Sequence, residues 1–309
     1  MNEAIETVLI YGYGVMGRGV ARTFADAGFK TIVKSRRAAE LRGLPANALA
    51  VERLPERAPD LVVEFVPEDV EVKRAVYAEL ESAYPGARVL IASGTSGLDL
   101  VELAAKLEHP ERFLGIHYFM PAEATPVVEV MAGPATPRAE VDRVARILER
   151  TGKEPVLLYA PIIGFLVNRL QHAILHEAYY LIETGVASAA DIDHAARRML
   201  APRMCLNGLI RQKDISGLSI HADAQRSIVP HLFHNRTPCA LLQGMVARGE
   251  TGLAGGKGFY DWQGCDARAV REQASAQLRK LLQFLETGVG PAGPGTQPKT
   301  RSTAGVPER

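Results

Sequence analysis

Four short phrases between Ala92 and Leu170 carry side chains of the kinds that exchange protons with a substrate. ASGTSG (92–97) holds the hydroxyl of Ser96, GIHYFMP (115–121) the imidazole of His117, VVEV (127–130) the carboxylate of Glu129 and GFLVNRL (164–170) the amide of Asn168. An imidazole partnered by a carboxylate is a general acid or base near neutral pH. A hydroxyl and an amide beside such a pair can grip a substrate oxygen. This set could take the proton from an alcohol or return it to a carbonyl. The other half of an alcohol oxidation is a hydride, and a hydride needs an acceptor.

The N-terminus offers a place for one. Gly12-Tyr13-Gly14-Val15-Met16-Gly17 follows an apolar run, Val8 to Tyr11, and leads into a helical pattern over Arg18 to Ala27. In such a strand–turn–helix, Gly12 permits the sharp turn, Gly14 lets backbone approach a pyrophosphate, and Gly17 lets helix and strand pack closely. Val15 and Met16 lie where the helix N-terminus presents its free N–H groups to the phosphates. The bland alternative is a glycine-rich turn in an ordinary α/β protein. The next strand, Thr31 to Lys34, ends at Ser35-Arg36-Arg37. An NAD-specific fold places an acid there for the ribose 2′-hydroxyl; a small hydroxyl followed by two guanidinium groups suits a 2′-phosphate instead. NADP is the expected cofactor and NAD the fallback; a solvated basic turn is the reading without function.

The elements that position these groups alternate. Strand patterns near 48–51, 61–66, 89–92, 113–116, 127–130 and 156–158 are interleaved with helical patterns over 70–84, 98–107 and 138–151. Alternating βα units imply a mostly parallel sheet covered on both faces. From Gly164 the chain reads as helices only, over 165–185, 191–200 (Ser188 a plausible N-cap), 222–230, 240–248 and 267–286. The expectation is an α/β Rossmann-type dinucleotide-binding domain over 1–160, an all-α substrate and dimerisation domain over 161–287, and a disordered Gly/Pro/Ser/Thr-rich tail over 288–309. The 309 residues are 47% hydrophobic with a net charge of +1, which favours neither nucleic acid nor an anionic membrane as partner. Apolar runs are too short to cross a bilayer, and the first residues lack the basic region of a signal peptide. Three widely spaced cysteines, Cys205, Cys239 and Cys265, fit reduced thiols in a cytoplasm.

Taken in order, these phrases resemble the L-3-hydroxyacyl-CoA dehydrogenase family, which includes relatives acting on gulonate and carnitine. The resemblance runs from about Val8 to Trp262. It implies that Ser96 binds the substrate oxygen, that His117 is the catalytic base with Glu129 as its partner twelve residues on, and that Asn168 binds substrate. It places Glu68 and Lys73, in VPEDVEVK, near the nicotinamide ribose, and matches GGKGFYDW (255–262) to the family's closing motif. It also implies a homodimer formed through the helical domain, with a hydroxy or keto acid, or its acyl-CoA ester, as substrate.

Departures bear on that substrate. Met120 stands where the family has Asn three residues after the histidine, and Gly94 where it has Asn in the serine phrase. The connection from Ser35 to Leu61 lacks the helical excursion that helps acyl-CoA members hold CoA. The family's Gly-Pro turn is replaced by Met204 to Gly217, where Arg203, Arg211 and Lys213 cluster as an anion site or a solvated face. Two other readings stay open: a reductase of a different small carbonyl or imine, and a cofactor-binding structural protein like the lens crystallin of this family. His172 and His176, four apart on the long helix, lack a third ligand, so packing is preferred to a metal pair.

Overall fold

The computed structural model of the chain describes residues 5–288, and its backbone divides between Gln171 and His172 into two compact units. The first is an α/β sandwich. Strands β1 (Thr7–Tyr11), β2 (Lys30–Lys34), β3 (Ala48–Val51), β4 (Leu61–Glu64), β5 (Leu90–Ser93), β6 (Phe113–Tyr118), β7 (Val127–Ala132) and β8 (Glu154–Leu158) form one sheet. Its order is β3-β2-β1-β4-β5-β6-β7-β8. Helices α1 (Val15–Asp26), α2 (Val70–Ala83), α3 (Leu100–Ala104) and α4 (Arg138–Arg150) cross between strands. The expected α/β architecture with a mostly parallel sheet is thus observed.

Continuous apolar runs such as Val8-Leu9-Ile10 feed both faces of the sheet, as covered parallel strands must. Val8, Ile10, Val33 and Val63 pack with Phe24 and Val20 of α1 on one side. Leu9, Ile32 and Val62 pack with Tyr77 and Leu80 of α2 on the other. All neighbouring strands run parallel except β6 and β7. The segment between those two carries no helix, and a crossover needs about a dozen residues or more, so the chain turns back on itself. This antiparallel pair interrupts the expected alternation, and it decides the geometry of the site.

Helix α3 is shorter than the 98–107 expectation. Asp99 caps it by accepting from Val101 N at 2.8 Å, so the turn before it is not helical. In that turn Gly94 N donates to the Glu64 carbonyl oxygen at 2.8 Å, and Thr95 Oγ1 accepts from Leu98 N at 2.9 Å and Gly97 N at 3.3 Å.

Helix α5 (Val167–Glu183) starts in the first unit and runs into the second. There follow α6 (Ala189–Ala195), a π-helical turn at Ala196–Leu200, α7 (Ala201–Asn207), α8 (Arg211–Ser216), α9 (Leu218–Ile228), α10 (Ala240–Ala247) and α11 (Ala267–Gly288). Ser188 caps α6, accepting from Asp191 N at 3.1 Å. The helix expected to end at Leu200 continues, because the π turn accommodates Pro202 in the first turn of α7. Helix α8 lies inside the 204–217 stretch, for which no helix is expected from the sequence. His176 packs on Phe233 with centroids 4.7 Å apart, and its Nε2 lies 2.7 Å from the Asn235 carbonyl oxygen. The closing phrase is pinned by Phe259 stacked on Tyr179 and by Tyr260, whose hydroxyl donates to Asp193. None of α5 to α9 has a buried residue, and Ile174, Ile210, Ile215 and Ile220 stand exposed. The Gly/Pro-rich tail expected to be disordered lies outside the described residues.

Candidate active site

The glycine loop leaves the end of β1 and caps α1. Gly12 has a φ of +102°, and a Cβ there would come within 2.6 Å of the Phe65 carbonyl oxygen. A Cβ on Gly17 would collide with the Gly12 carbonyl oxygen, so α1 approaches the loop closely only because both are glycine. Gly14 has open space before it. Helix α1 has no side-chain cap and no acid in its first turn, and Val15 there is exposed while Met16 packs inward. Its first N–H groups are therefore available to an anion.

This helix end opens on a cleft of about 1090 Å³ at the ends of β1, β2 and β4. The strand order switches direction beside β1 there, as dinucleotide-binding sheets do at their binding crevice. Arg18, Lys34, Arg36, Arg37 and Arg42 line it, and Glu40 is the single acid among its lining residues. Ser35 Oγ accepts from Arg37 N at 3.2 Å, which shapes the turn, while Arg36 and Arg37 remain exposed. Lys34 is buried with Nζ 5.1 Å from the Tyr11 ring centroid. Volume, free N–H groups and charge all fit a dinucleotide. Lys34 and Arg42 were not singled out by the sequence; both lie within a few residues of the basic turn, which was the available signal.

The imidazole and carboxylate singled out in the sequence stand on neighbouring strands. In the antiparallel ladder His117 of β6 pairs directly with Glu129 of β7, so both side chains leave the same face side by side. His117 Nδ1 lies 2.7 Å from Glu129 Oε2, with both residues buried. A carboxylate only accepts, so Nδ1 carries the proton and Nε2 keeps its lone pair. The other carboxylate oxygen accepts from Leu166 N at 2.8 Å and Val167 N at 2.9 Å, the start of α5. Phe119 and Phe165 pack on the imidazole at 4.6 and 5.1 Å. Phe165 is fully buried at φ 52°, a left-handed conformation that costs a non-glycine residue roughly 1–3 kcal/mol.

Ser96 and Asn168 also meet: Asn168 Nδ2 donates to the Ser96 carbonyl oxygen at 3.1 Å. The Ser96 turn is held by Glu68, whose Oε1 accepts from Thr95 Oγ1 (2.6 Å), Ser96 N (2.9 Å), Gly97 N (3.2 Å) and Ser96 Oγ (3.3 Å). Burial opposes the charge on Glu68, but Thr95, the Ser96 N–H, nearby Lys73 and the Gly97 N–H outweigh it and hold its carboxyl below the ordinary value. Lys73 is fully buried, with Nζ 2.8 Å from Glu64 Oε1 and 3.4 Å from Glu68 Oε2. Glu64, Tyr77 and Ser93 complete this cluster and were not identified from the sequence. Gly94 is enclosed: a Cβ there would meet the Phe65 ring at 2.5 Å, so that ring fills the space a larger residue would need.

The geometry can be set beside known proteins. Residues 52–160 match the model for the NAD-binding domain of 3-hydroxyacyl-CoA dehydrogenase, and residues 164–262 match its C-terminal domain. A 3-hydroxybutyryl-CoA dehydrogenase of Bradyrhizobium diazoefficiens is 30% identical over 291 residues, covering 85% of this chain and 98% of the relative. The chain belongs to the 3-hydroxyacyl-CoA dehydrogenase family. It is accordingly an oxidoreductase of the CH–OH class with a dinucleotide-binding domain. The family includes a solved Archaeoglobus fulgidus 3-hydroxyacyl-CoA dehydrogenase, 30% identical with a TM-score of 0.66 over 91% of this chain and 99% of that one. A Mesorhizobium japonicum 5-formyl-3-hydroxy-2-methylpyridine 4-carboxylate 5-dehydrogenase is similar end to end, 24% identical over 91% of this chain and 99% of the relative. The matched span of the NAD-binding domain model begins after the basic turn.

Proposed function

We propose that the chain interconverts a 3-hydroxy acid, or its acyl-CoA ester, with the 3-keto form, using His117 as acid and base. The observation that carries this reading is the buried 2.7 Å contact between His117 Nδ1 and Glu129 Oε2, which leaves Nε2 as the free basic nitrogen. When bound, the dinucleotide accepts or returns the hydride. His117 Nε2 takes the alcohol proton, and Glu129 fixes the tautomer and balances the imidazolium. Ser96 and Asn168 position the reacting oxygen. Gly12, Gly14, Val15, Met16 and Gly17 hold the pyrophosphate, and Glu68 and Lys73 stand toward the nicotinamide half.

Ser35, Arg36 and Arg37 favour NADP, supported by a cleft lined by five basic side chains and one acid. The unpartnered apolar faces of the helical unit favour a homodimer, and three free thiols a reducing cytoplasm.

A second reading, reduction or oxidation of a small ring-borne carbonyl, has its own support. The Phe65 ring excludes a polar side chain at Gly94, and between β2 and β4 there is only a 3₁₀ turn and β3, with no helix to hold CoA. The Mesorhizobium relative acts on such a compound by its name. A panel of 3-hydroxybutyryl-CoA, free 3-hydroxybutyrate and a hydroxymethylpyridine carboxylate, each with NAD⁺ and NADP⁺ and followed by nicotinamide absorbance, tests both. Turnover of either 3-hydroxy compound supports the first reading; turnover of the pyridine compound alone replaces it with the second.

A further inference from the structure

Glu64 ends β4, is fully buried and has no part in the proposed reaction. Burying a carboxylate is unfavourable unless its lone pairs are engaged. Here they are. Oε1 accepts from Val66 N at 2.6 Å and Lys73 Nζ at 2.8 Å, and Oε2 faces the hydroxyls of Tyr77 at 2.8 Å and Ser93 at 3.2 Å. Burial, with Glu64 beside it, pushes the Tyr77 phenol up, so that hydroxyl stays a donor.

We propose that Glu64 is a positioning residue for Ser96, acting through Lys73 and Glu68. Lys73 is a long side chain with many rotamers, and Glu68 meets it only at 3.4 Å. Glu64, at 2.8 Å and buried on every side, is what fixes the ammonium. The fixed ammonium holds Glu68 Oε2, and Glu68 Oε1 then gathers the two N–H groups and two hydroxyls of residues 95–97. Within the turn Thr95 Oγ1 accepts from Leu98 N at 2.9 Å and Gly97 N at 3.3 Å, and Glu68 adds the bonds that reach the N–H and hydroxyl of Ser96 itself. Three ionised side chains in series thus convert the rigidity of β4 and α2 into a fixed direction for one hydroxyl.

The inference rests on Ser96 binding the substrate oxygen, and its test separates the two. Amide exchange is measured on the full chain for wild type and Glu64→Gln, which keeps the shape and removes the charge. The Ser96 and Gly97 amides are expected to exchange roughly tenfold faster in the variant, while β5 amides keep wild-type protection. In the same variant, kcat on 3-hydroxybutyryl-CoA is expected to fall roughly tenfold. In a Ser96→Ala background, Glu64→Gln causes no further loss of kcat. Unchanged exchange at residues 96 and 97, loss of protection across the whole sheet, or an equal loss of kcat in both backgrounds overturns the proposal. Faster exchange with Ser96→Ala fully active sinks the role of Ser96 and leaves the hold on the turn standing. Should Glu64→Gln fail to fold, Tyr77→Phe removes one donor to Oε2 while keeping the ring against Phe113, and the same pattern is expected at smaller size.

Discussion

The His117–Glu129 pair and the Ser35–Arg42 turn sit on the same sheet and are built by opposite means. The pair is buried, directly cross-strand, bonded at 2.7 Å and wedged between two aromatic rings. The turn is exposed and bonded chiefly to itself, through Ser35 Oγ to Arg37 N and Arg42 Nη1 to the carbonyls of Ala39 and Leu41. In the proposed reaction proton transfer depends on sub-ångström placement, and the pair hangs from strands that cannot move independently. Reading a phosphate depends on accumulated charge, which tolerates looser side chains. Where a site must be geometrically exact the chain invests in burial; where it must only be attractive it invests in number.

The contrast is strongest at His117. His117→Ala is expected to lower kcat by about 10²- to 10⁴-fold with NADH affinity intact, by steady-state kinetics and fluorescence titration. A loss below about tenfold would break the comparison, because the buried pair would then not be the base. Glu129→Gln comes next, at about 10–100-fold in kcat, since the amide keeps the shape but not the charge. Its melting temperature falls as well, because bonds to Leu166 and Val167 weaken.

At the turn the effects are graded. Arg36→Ala/Arg37→Ala weakens NADPH roughly tenfold and leaves NADH nearly unchanged, with each single variant intermediate. Raising salt is expected to weaken NADPH binding more than the proposed His117-dependent step, because exposed charges are screened far more than buried ones. Tighter NADH binding by the wild type would remove the 2′-phosphate reading of the turn.

The smallest effect concerns Glu68. Its folded-state pKa lies below the ordinary value of 4.5, so the unfolded chain takes up this proton first. Its stabilisation is full above that value and is lost as pH falls through the folded pKa. Urea midpoints between neutral pH and about pH 4 should fall less steeply for Glu68→Gln than for wild type.

Much of this was legible in the sequence, for reasons that differ by element. The glycine loop could be read because β1, turn and α1 are contiguous. The twelve-position step from His117 to Glu129 could be read as a spacing but not as a geometry; that required the antiparallel turn between β6 and β7. Glu64 was invisible, since a lone acid inside a strand expected over 61–66 carries no pattern that marks it. Its partners lie 9, 13 and 29 residues away, and only the stacking of β4, β5 and α2 brings them together. Helix α8 was missed because its six residues carry too short a pattern to register.

Glu129 has a second attachment whose consequence is mechanical. One oxygen orients the imidazole and the other is fastened to the first backbone amides of α5. The carboxylate therefore works as a lever with two loaded ends, and neither load can shift without moving the other. A displacement of the backbone at Leu166 and Val167 is therefore felt at the Glu129 carboxylate and, through it, at the imidazole it holds.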